Sequence, residues 1–453
     1  MTADPDRPAT ATRCWAAIDS AAGGLALDLG LYAFAAAFAG LTAATSTLIP
    51  HRAWGTFATA GYVLAALAVA GQFLARRRHA GTRFAGLGAR WAVTGFAWAT
   101  TTLLPLVAQS VQRAAGRTDR AQEEVVVVEH AGSRLAEHGT PYLGHDAIAA
   151  LPPAEQLLGY TPYQPGMALF GLPRAATDAW WTDARIWFAL VTAAVLAAAV
   201  ATLRTAATPV GPTPVGPTPV AAGRGPAVLR GVQAATVLPV CALTLATGGD
   251  DLPVLTLCLL ALALAAADRP GRAGLAVGAA GALKLFAWPV AIVLVCWAAT
   301  RRAGLRAALG ALGLPLLALL PALLVDRDAL VENVLRFPLG HGLVTSPAQS
   351  PFPGHLIATA LPAGRVVAAA LLVATGVAIA VRLLRRPPRT AVATALICGY
   401  GLLAAILLMP STRFGYLLYP IALLVWAPAL AGPPALRQPD FQATSATRPA
   451  AKA

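Results

Sequence analysis

Charge is what this sequence lacks. Of its 453 residues only 12% are Asp, Glu, Lys or Arg, while 57% are hydrophobic and the mean hydropathy is +0.64. A water-soluble domain carries about 25% charged residues, so that class is excluded. The apolar residues instead run in stretches of about 18 or more, long enough to cross a bilayer, and the expected fold is an all-α, polytopic integral membrane protein. Cysteine is also scarce. Of the five, Cys241, Cys258, Cys296 and Cys398 fall in apolar segments and Cys14 in the N-terminal tail, a pattern with neither a disulfide framework nor metal-ligand spacing. Acidic residues are outnumbered 20 to 34 by Lys and Arg, giving a net charge of +14. Yet the arginines lie between apolar runs rather than on one amphipathic face, which argues against a nucleic-acid partner and marks them as cytoplasmic anchors beside the lipid bilayer. The first 20 residues lack the basic and short apolar regions of a signal peptide, so the first span is expected to direct insertion. No nucleotide-phosphate loop is visible.

Spans are expected at 24–48, 53–75, 88–110, 182–203, 231–247, 252–267, 305–325, 364–384, 391–409 and 416–432. The basic segments (RRRHAGTR after the second span, Arg204 to Arg230, DRPGR, Arg301 with Arg302, and RLLRRPPR) are assigned to the cytoplasm. That choice puts both termini inside and the loop 111–181 on the outer face of the plasma membrane. The chain divides into a tail with two extra spans (1–87), a transmembrane core (88–432) and a polar, disordered tail (433–453). The stretch 205–229, which contains TPVGPTPVGPTPV, reads as an extended, disordered cytoplasmic linker.

Two apolar segments are interrupted. Residues 273–299 are long enough for one span, but both ends carry arginines that belong inside, which implies a re-entrant hairpin or two short helices turning near Lys284 to Pro289. YTPYQPGMALFGLP, 160–173, breaks an apolar stretch of the outer loop with prolines and glycines. Broken backbone at membrane depth is tolerated where it lines a cavity or is buried in protein, so each points to a site.

The helix expected over 124–138 places Glu124 at the leading end of an apolar stripe formed by Val127, Val128, Ala131 and Leu135. Glu129, His130, Ser133 and Glu137 fall on its opposite, polar side. A desolvated carboxylate is suited to take a proton from a hydroxyl, and a carboxylate in the first turn of a helix is also welcome for purely structural reasons. On the same outer side lie Asp250 and Asp251, His341 and His355, and Arg413 with Tyr416. Lys284 is the one lysine inside an apolar segment, where an ammonium calls for an anionic partner or serves a structural ion pair. Acids gathered with Arg, His and Lys are what transfer from a lipid phosphate requires: a base for the acceptor proton, and cations for the charge on the departing phosphate. The Asp250–Asp251 pair also offers carboxylate oxygens for a divalent cation.

At this point the order of motifs resembles that of the GT-C membrane glycosyltransferases, and most closely glycosyltransferase family 87, the polyprenyl-phosphate-mannose-dependent mannosyltransferases of actinobacteria. EVVVVEHAGSRLAEHGTPYL followed by YTPYQPGMALFGLP is similar to the first-loop pattern of that family, with Glu124 where the family has a catalytic Asp and Thr140 where it commonly has Asp. GALKLFAWPV resembles its Lys-Pro-type membrane element, SPAQSPFPGHL its Asn-Gln-Ser-x-x-Gly loop, and PSTRFGYLLYP the segment before its last spans. The resemblance implies transfer of a sugar, mannose foremost, from a polyprenyl-phosphate donor to a lipid-linked or glycan acceptor. Glu124 would be the general base with Glu129 as fallback. Arg413, Lys284, His355 and His341 would contact the donor phosphate, and Tyr142, Tyr163, Gln164, Asp250, Asp251, Gln349 and Tyr416 would line the substrate cleft. The rival reading from the broken helices is a lipid transporter or flippase, against which stands the lack of an internal repeat of two halves.

Overall fold

The computed structural model describes residues 19–78, 83–206 and 219–431, with side chains from 224 onward in the last of these. Cys14, most of the Pro-rich repeat and the tail 433–453 lie outside the described residues. The protein is an all-helical, polytopic membrane protein. Among the described residues seven helices are long and apolar enough to cross a bilayer, and a pair bent by 45° makes eight if it is counted as one crossing.

The chain opens with a helical hairpin, α1 (Leu25–Thr45) against α2 (Ile49–Arg78). The two backbones approach closely at Gly55, where a Cβ would sit 2.6 Å from the Ala39 carbonyl oxygen. Arg76, Arg77 and Arg78 occupy the last turn of α2, where the helix dipole favours cations. Helix α3 (Leu87–Ala114) carries a π-helical turn at Ala99–Leu103. Its cause is Pro105, whose ring displaces the carbonyl four residues back; that carbonyl, on Thr101, accepts the indole N–H of Trp54 at 2.8 Å. A buried ionic network then ties the hairpin to the rest of the molecule. Asp28 of α1 accepts from Arg90 of α3 at 2.6 and 3.2 Å, from Gln233 at 3.0 Å, and from Arg230.

After α3 comes the amphipathic helix α4 (Glu123–His138), which the Gly139 cap ends in the left-handed region, and then the spanning helix α5 (Ala184–Thr205). Helices α6 (Pro219–Thr236) and α7 (Pro239–Thr247) form the bent pair. The bend follows from Pro239, which pushes Leu238 into extended backbone; the freed Val237 carbonyl accepts the Tyr62 hydroxyl at 2.7 Å. The stretch read as an extended linker over 205–229 is therefore helical from Pro219 onward. The reason is packing: Val228 and Leu229 are buried, and Arg224 donates to the carbonyls of Leu203 and Ala431 at 3.2 and 2.6 Å.

Helix α8 (Asp251–Ala266) is the centre of the molecule, buried on nearly every side, which is why its sequence is apolar all round and shows no amphipathic period. It packs against α5, against α9 (Pro270–Leu283) and α14 (Ala391–Leu408). Helix α10 (Trp288–Ala299) follows α9 after a break at Lys284, so the stretch 273–299 is two short helices as its arginines imply. The longer elements that remain are the largely exposed α11 (Gly304–Val325), short α12 (Pro353–Ala360), peripheral α13 (Gly364–Arg385), α14 itself, and α15 (Leu418–Trp426). Helices α9 and α11 cross almost backbone to backbone: a Cβ on Gly274 would lie 2.2 Å from the Ala307 carbonyl oxygen, and one on Gly278 would lie 2.1 Å from that of Gly310.

A similar glycine contact seats α4. A Cβ on Gly171 would meet the Val128 carbonyl oxygen at 2.1 Å, and one on Gly132 the Gly171 carbonyl carbon at 2.2 Å. Gly171→Ala is expected to unseat α4 and lower stability by about 1–3 kcal/mol or more, read as a fall in the thermal unfolding midpoint in detergent. Gly30→Ala, on a site with nothing within 4 Å, is expected to leave the midpoint unchanged or raise it.

Candidate functional site

The first turn of α4 is clamped to the end of α7. Gln122 precedes the helix; its backbone N–H donates to the Thr247 carbonyl at 3.0 Å, and its side-chain oxygen accepts the Thr247 hydroxyl at 2.9 Å. This fixes Glu124 beside the turn Gly248–Asp251. Glu124 is largely buried, and one carboxylate oxygen, Oε1, is ion-paired with Arg413. The other, Oε2, is buried and has no hydrogen-bond partner.

Arg413 is held from the far side by the loop that precedes α12. The Ser350 N–H donates to the Thr412 carbonyl at 2.9 Å, the Ser350 hydroxyl accepts the Phe414 N–H at 2.9 Å, and the Ser411 hydroxyl donates to the Ala348 carbonyl at 2.8 Å. Gln349 pairs with Thr412 in a single parallel bridge, while its side chain is exposed. His355 Nδ1 lies 3.0 Å from the Pro410 carbonyl oxygen, so this ring braces the same strap. His341 is exposed, and its backbone N–H donates to the Arg336 carbonyl at 2.9 Å. Its side chain joins neither ion pair.

The break between α9 and α10 supplies a second cluster. The Lys284 ammonium is buried at 2.5 Å from Asp251 and 2.7 Å from Asp250. Asp251 also accepts the Tyr419 hydroxyl at 2.7 Å. Above the ammonium lie the rings of Tyr163, at 5.1 Å, and Tyr416, at 5.8 Å, within cation–π range. Phe286 stacks on Tyr419 at 5.3 Å and packs on Tyr416 at 4.6 Å. The two interrupted segments meet here, because the Gln164 N–H donates to the Leu283 carbonyl at 3.1 Å, and Gly166 faces the Ala282 carbonyl so closely that a Cβ would lie 2.6 Å from it. Gln164 Oε1 is buried without a partner. The Asp250–Asp251 pair, read from the sequence as a place for a divalent cation, holds the Lys284 ammonium instead. Among the described residues no group of three or more His, Cys, Asp or Glu has metal-ligand geometry.

Glu129 departs from its expected place. The helical wheel put it on the polar side of α4, but it is buried, with Arg113 donating to both of its oxygens at 2.7 and 2.6 Å and the Ala184 N–H at 3.1 Å. Arg113 reaches over from α3 and also contacts Asp183 at 3.1 Å, so α3, α4 and the start of α5 share one ionic knot. The wheel misplaces Glu129 because that side of α4 is covered by α3 and α5, which the local sequence does not reveal. Asp183, just before α5, is buried, which alone would raise its pKa; Arg185 and Arg113 outweigh that and hold it at about 2, ionised at any physiological pH.

Tyr142 is likewise buried, and its hydroxyl donates to the Tyr163 carbonyl at 2.8 Å, so it braces the segment that carries Tyr163 and Gln164. Sequence reasoning passed over Tyr419, Gln122 and Ser350, and also a separate buried cluster around Glu332. Glu332 accepts the Tyr160 hydroxyl at 2.9 Å and lies 3.2 Å from His145, while the neighbouring Asn333 side chain accepts the Thr161 N–H at 2.7 Å. Tyr160 sits inside the YTPYQPG signal, which was the one pointer to this cluster.

Residues 160–410, just over half of the chain, match the sequence pattern of glycosyltransferase family 87. The chain belongs to glycosyltransferase family 87. No curated protein and no solved structure matches it. The family 87 match spans Tyr163, Gln164, Asp250, Asp251, Lys284, His341, Gln349 and His355; Glu124, Glu129 and Tyr142 lie before it, and Arg413 and Tyr416 after it. The buried triad of Lys284 with Asp250 and Asp251 thus lies wholly within the family 87 segment.

Lys284→Met removes the cation and leaves two buried carboxylates facing each other. It is expected to cost about 3–5 kcal/mol of stability, seen as a large drop in the unfolding midpoint or loss of monodisperse protein. Adding Asp250→Asn and Asp251→Asn to Lys284→Met is expected to recover most of that loss. A triple variant no more stable than Lys284→Met alone would show that the triad does not act through charge balance.

Proposed function

We propose that this glycosyltransferase moves a sugar, mannose foremost, from a polyprenyl-phosphate donor to a lipid-linked or glycan acceptor at the outer face of the plasma membrane, with Glu124 as the general base. The observation that carries the reading is the asymmetry of Glu124: one oxygen is ion-paired with Arg413 and the other is buried and free. The free oxygen takes the proton of the acceptor hydroxyl as its oxygen attacks the anomeric carbon. The bond from that carbon to the phosphate oxygen breaks, and the electron pair leaves with the polyprenyl phosphate. Arg413 is one-third exposed and has further N–H donors besides the one directed to Glu124, so it can hold that phosphate as its charge grows.

The other residues fill supporting parts in this reading. His355 and the Ser350 strap keep Arg413 in place, and the unpartnered Gln164 Oε1 is an acceptor for a substrate hydroxyl. Tyr416 and Tyr163 lie over Lys284, whose ammonium is taken up by Asp250 and Asp251, so its part in this reading is to hold the break between α9 and α10 beside the site. Gln349 and His341, both exposed, belong to the rim where substrate arrives. Membership of a glycosyltransferase family favours group transfer over transport of a lipid.

Purified protein given labelled polyprenyl-phosphate mannose and a membrane lipid extract is expected to form a labelled glycan product. Glu124→Gln, nearly isosteric but unable to take the proton, is expected to lower turnover about a hundredfold or more with the fold intact. Glu129→Gln is expected to show its loss in stability, because it strips Arg113 of its main partner. Equal turnover by Glu124→Gln and wild type would remove Glu124 from the reaction. Orientation has its own check. In a Cys14→Ser background, cysteines at Gly144 and Ser346 are expected to react with an impermeant thiol reagent from outside intact cells, and one at Pro387 to stay unreacted; the reverse pattern would invert the site.

A further inference from the structure

At the end of α9 remote from Lys284 lies a cavity of about 820 Å³, open to the outside and set between the start of α9 and the first turns of α11. Three arginines line it: Arg269, Arg272 and Arg306. None of the three side chains makes an ion pair or hydrogen bond among the described residues. The single carboxylate of the lining, Asp268, is already bound to Arg301 at 2.7 Å, so the net charge facing the cavity is strongly positive. Its shape comes from the glycine crossing described above. The stem of Arg306 lies over Gly271, where a Cβ would meet its Cδ at 2.9 Å, and Gly310 lets α11 close directly on the backbone of Leu275. Below the arginines the lining becomes apolar, with Leu275 and Leu309 both exposed, and α11 continues as a face of exposed leucines, Leu305, Leu316 and Leu317 among them.

We propose that this cavity binds the phosphate headgroup of an anionic glycerophospholipid from the leaflet at that end of the molecule. Unpaired guanidiniums over an apolar wall match a charged head joined to acyl chains, whereas a free anion would gain nothing from the leucines. The site is distinct from the transfer site, since the fourteen residues of α9 separate them by about 21 Å along the helix. It does not rest on the proposed reaction.

The test uses the purified full chain in a neutral detergent, with phosphatidylglycerol as the probe, phosphatidylcholine as the uncharged control and inorganic phosphate as competitor. Native mass spectrometry reads the lipid bound. Wild type is expected to retain phosphatidylglycerol in clear preference to phosphatidylcholine, and 5 mM phosphate, an arbitrary excess, is expected to leave that binding in place. Arg306→Gln is expected to weaken it roughly fivefold and Arg269→Gln with Arg272→Gln and Arg306→Gln about a hundredfold, while Arg382→Gln on α13 leaves it unchanged. The proposal is overturned if wild type shows no preference between the lipids, or if Arg306→Gln, which removes only an exposed side chain, binds as wild type. Displacement of the lipid by phosphate would overturn it in favour of a free-anion site.

Discussion

An ion in a low-dielectric interior must be neutralised where it stands, and the architecture around Lys284 depends on that constraint. Removing an ammonium from water costs several kcal/mol even after relaxation, which no nearby residue in GALKLFAWPV can offset. The compensation arrives from Asp250 and Asp251, at the N-terminus of the central helix α8. The helix dipole there already favours negative charge, so two carboxylates are tolerated against one ammonium. Around this triad the Tyr419 hydroxyl, the Tyr163 and Tyr416 rings and the backbone of Gln164 converge from two other segments. Once the triad is formed, the break between α9 and α10 has one place to be.

The same requirement gives two acids on α4 opposite fates. Glu129 receives Arg113 through both oxygens and a backbone N–H besides, so both of its oxygens are taken. Glu124, a turn and a half earlier, is pinned by Gln122 next to the triad's turn but receives only one oxygen's worth of partner. Packing therefore separates a fully paired carboxylate from a half-paired one on a single helix. The first also serves the second, because the Glu129–Arg113–Asp183 knot fixes the helix on which Glu124 rides.

Fold class was legible because hydrocarbon imposes a simple signal: apolar runs of spanning length between arginines. The break at Lys284 was legible for a related reason, as arginines at both ends of 273–299 do not fit a single crossing. Pairings were not legible. Lys284 and Asp251 stand 33 residues apart, and nothing in either local sequence names the other, so each was weighed alone and the Asp pair suggested a cation of a different kind. Glu129 was assigned to the polar side of α4 because a helical wheel knows nothing of α3 and α5. Tyr419 was invisible inside an apolar run where a hydroxyl draws no notice. The second half of the linker was hidden by its proline repeat, although Val228 and Leu229 signal burial once the helix is seen.

The ion pair between Glu124 and Arg413 is the part of the proposed site that the geometry leaves open to substrate. Arg413 is one-third exposed, and its guanidinium has donors beyond the one directed to Glu124. In the proposed reaction an anionic phosphate arriving beside Arg413 competes with the carboxylate for the same guanidinium, and any hydrogen bond it draws away loosens the pair. On that reading Glu124 is released when the donor is bound and not before, which couples arrival of the phosphate to the freeing of the carboxylate beside it.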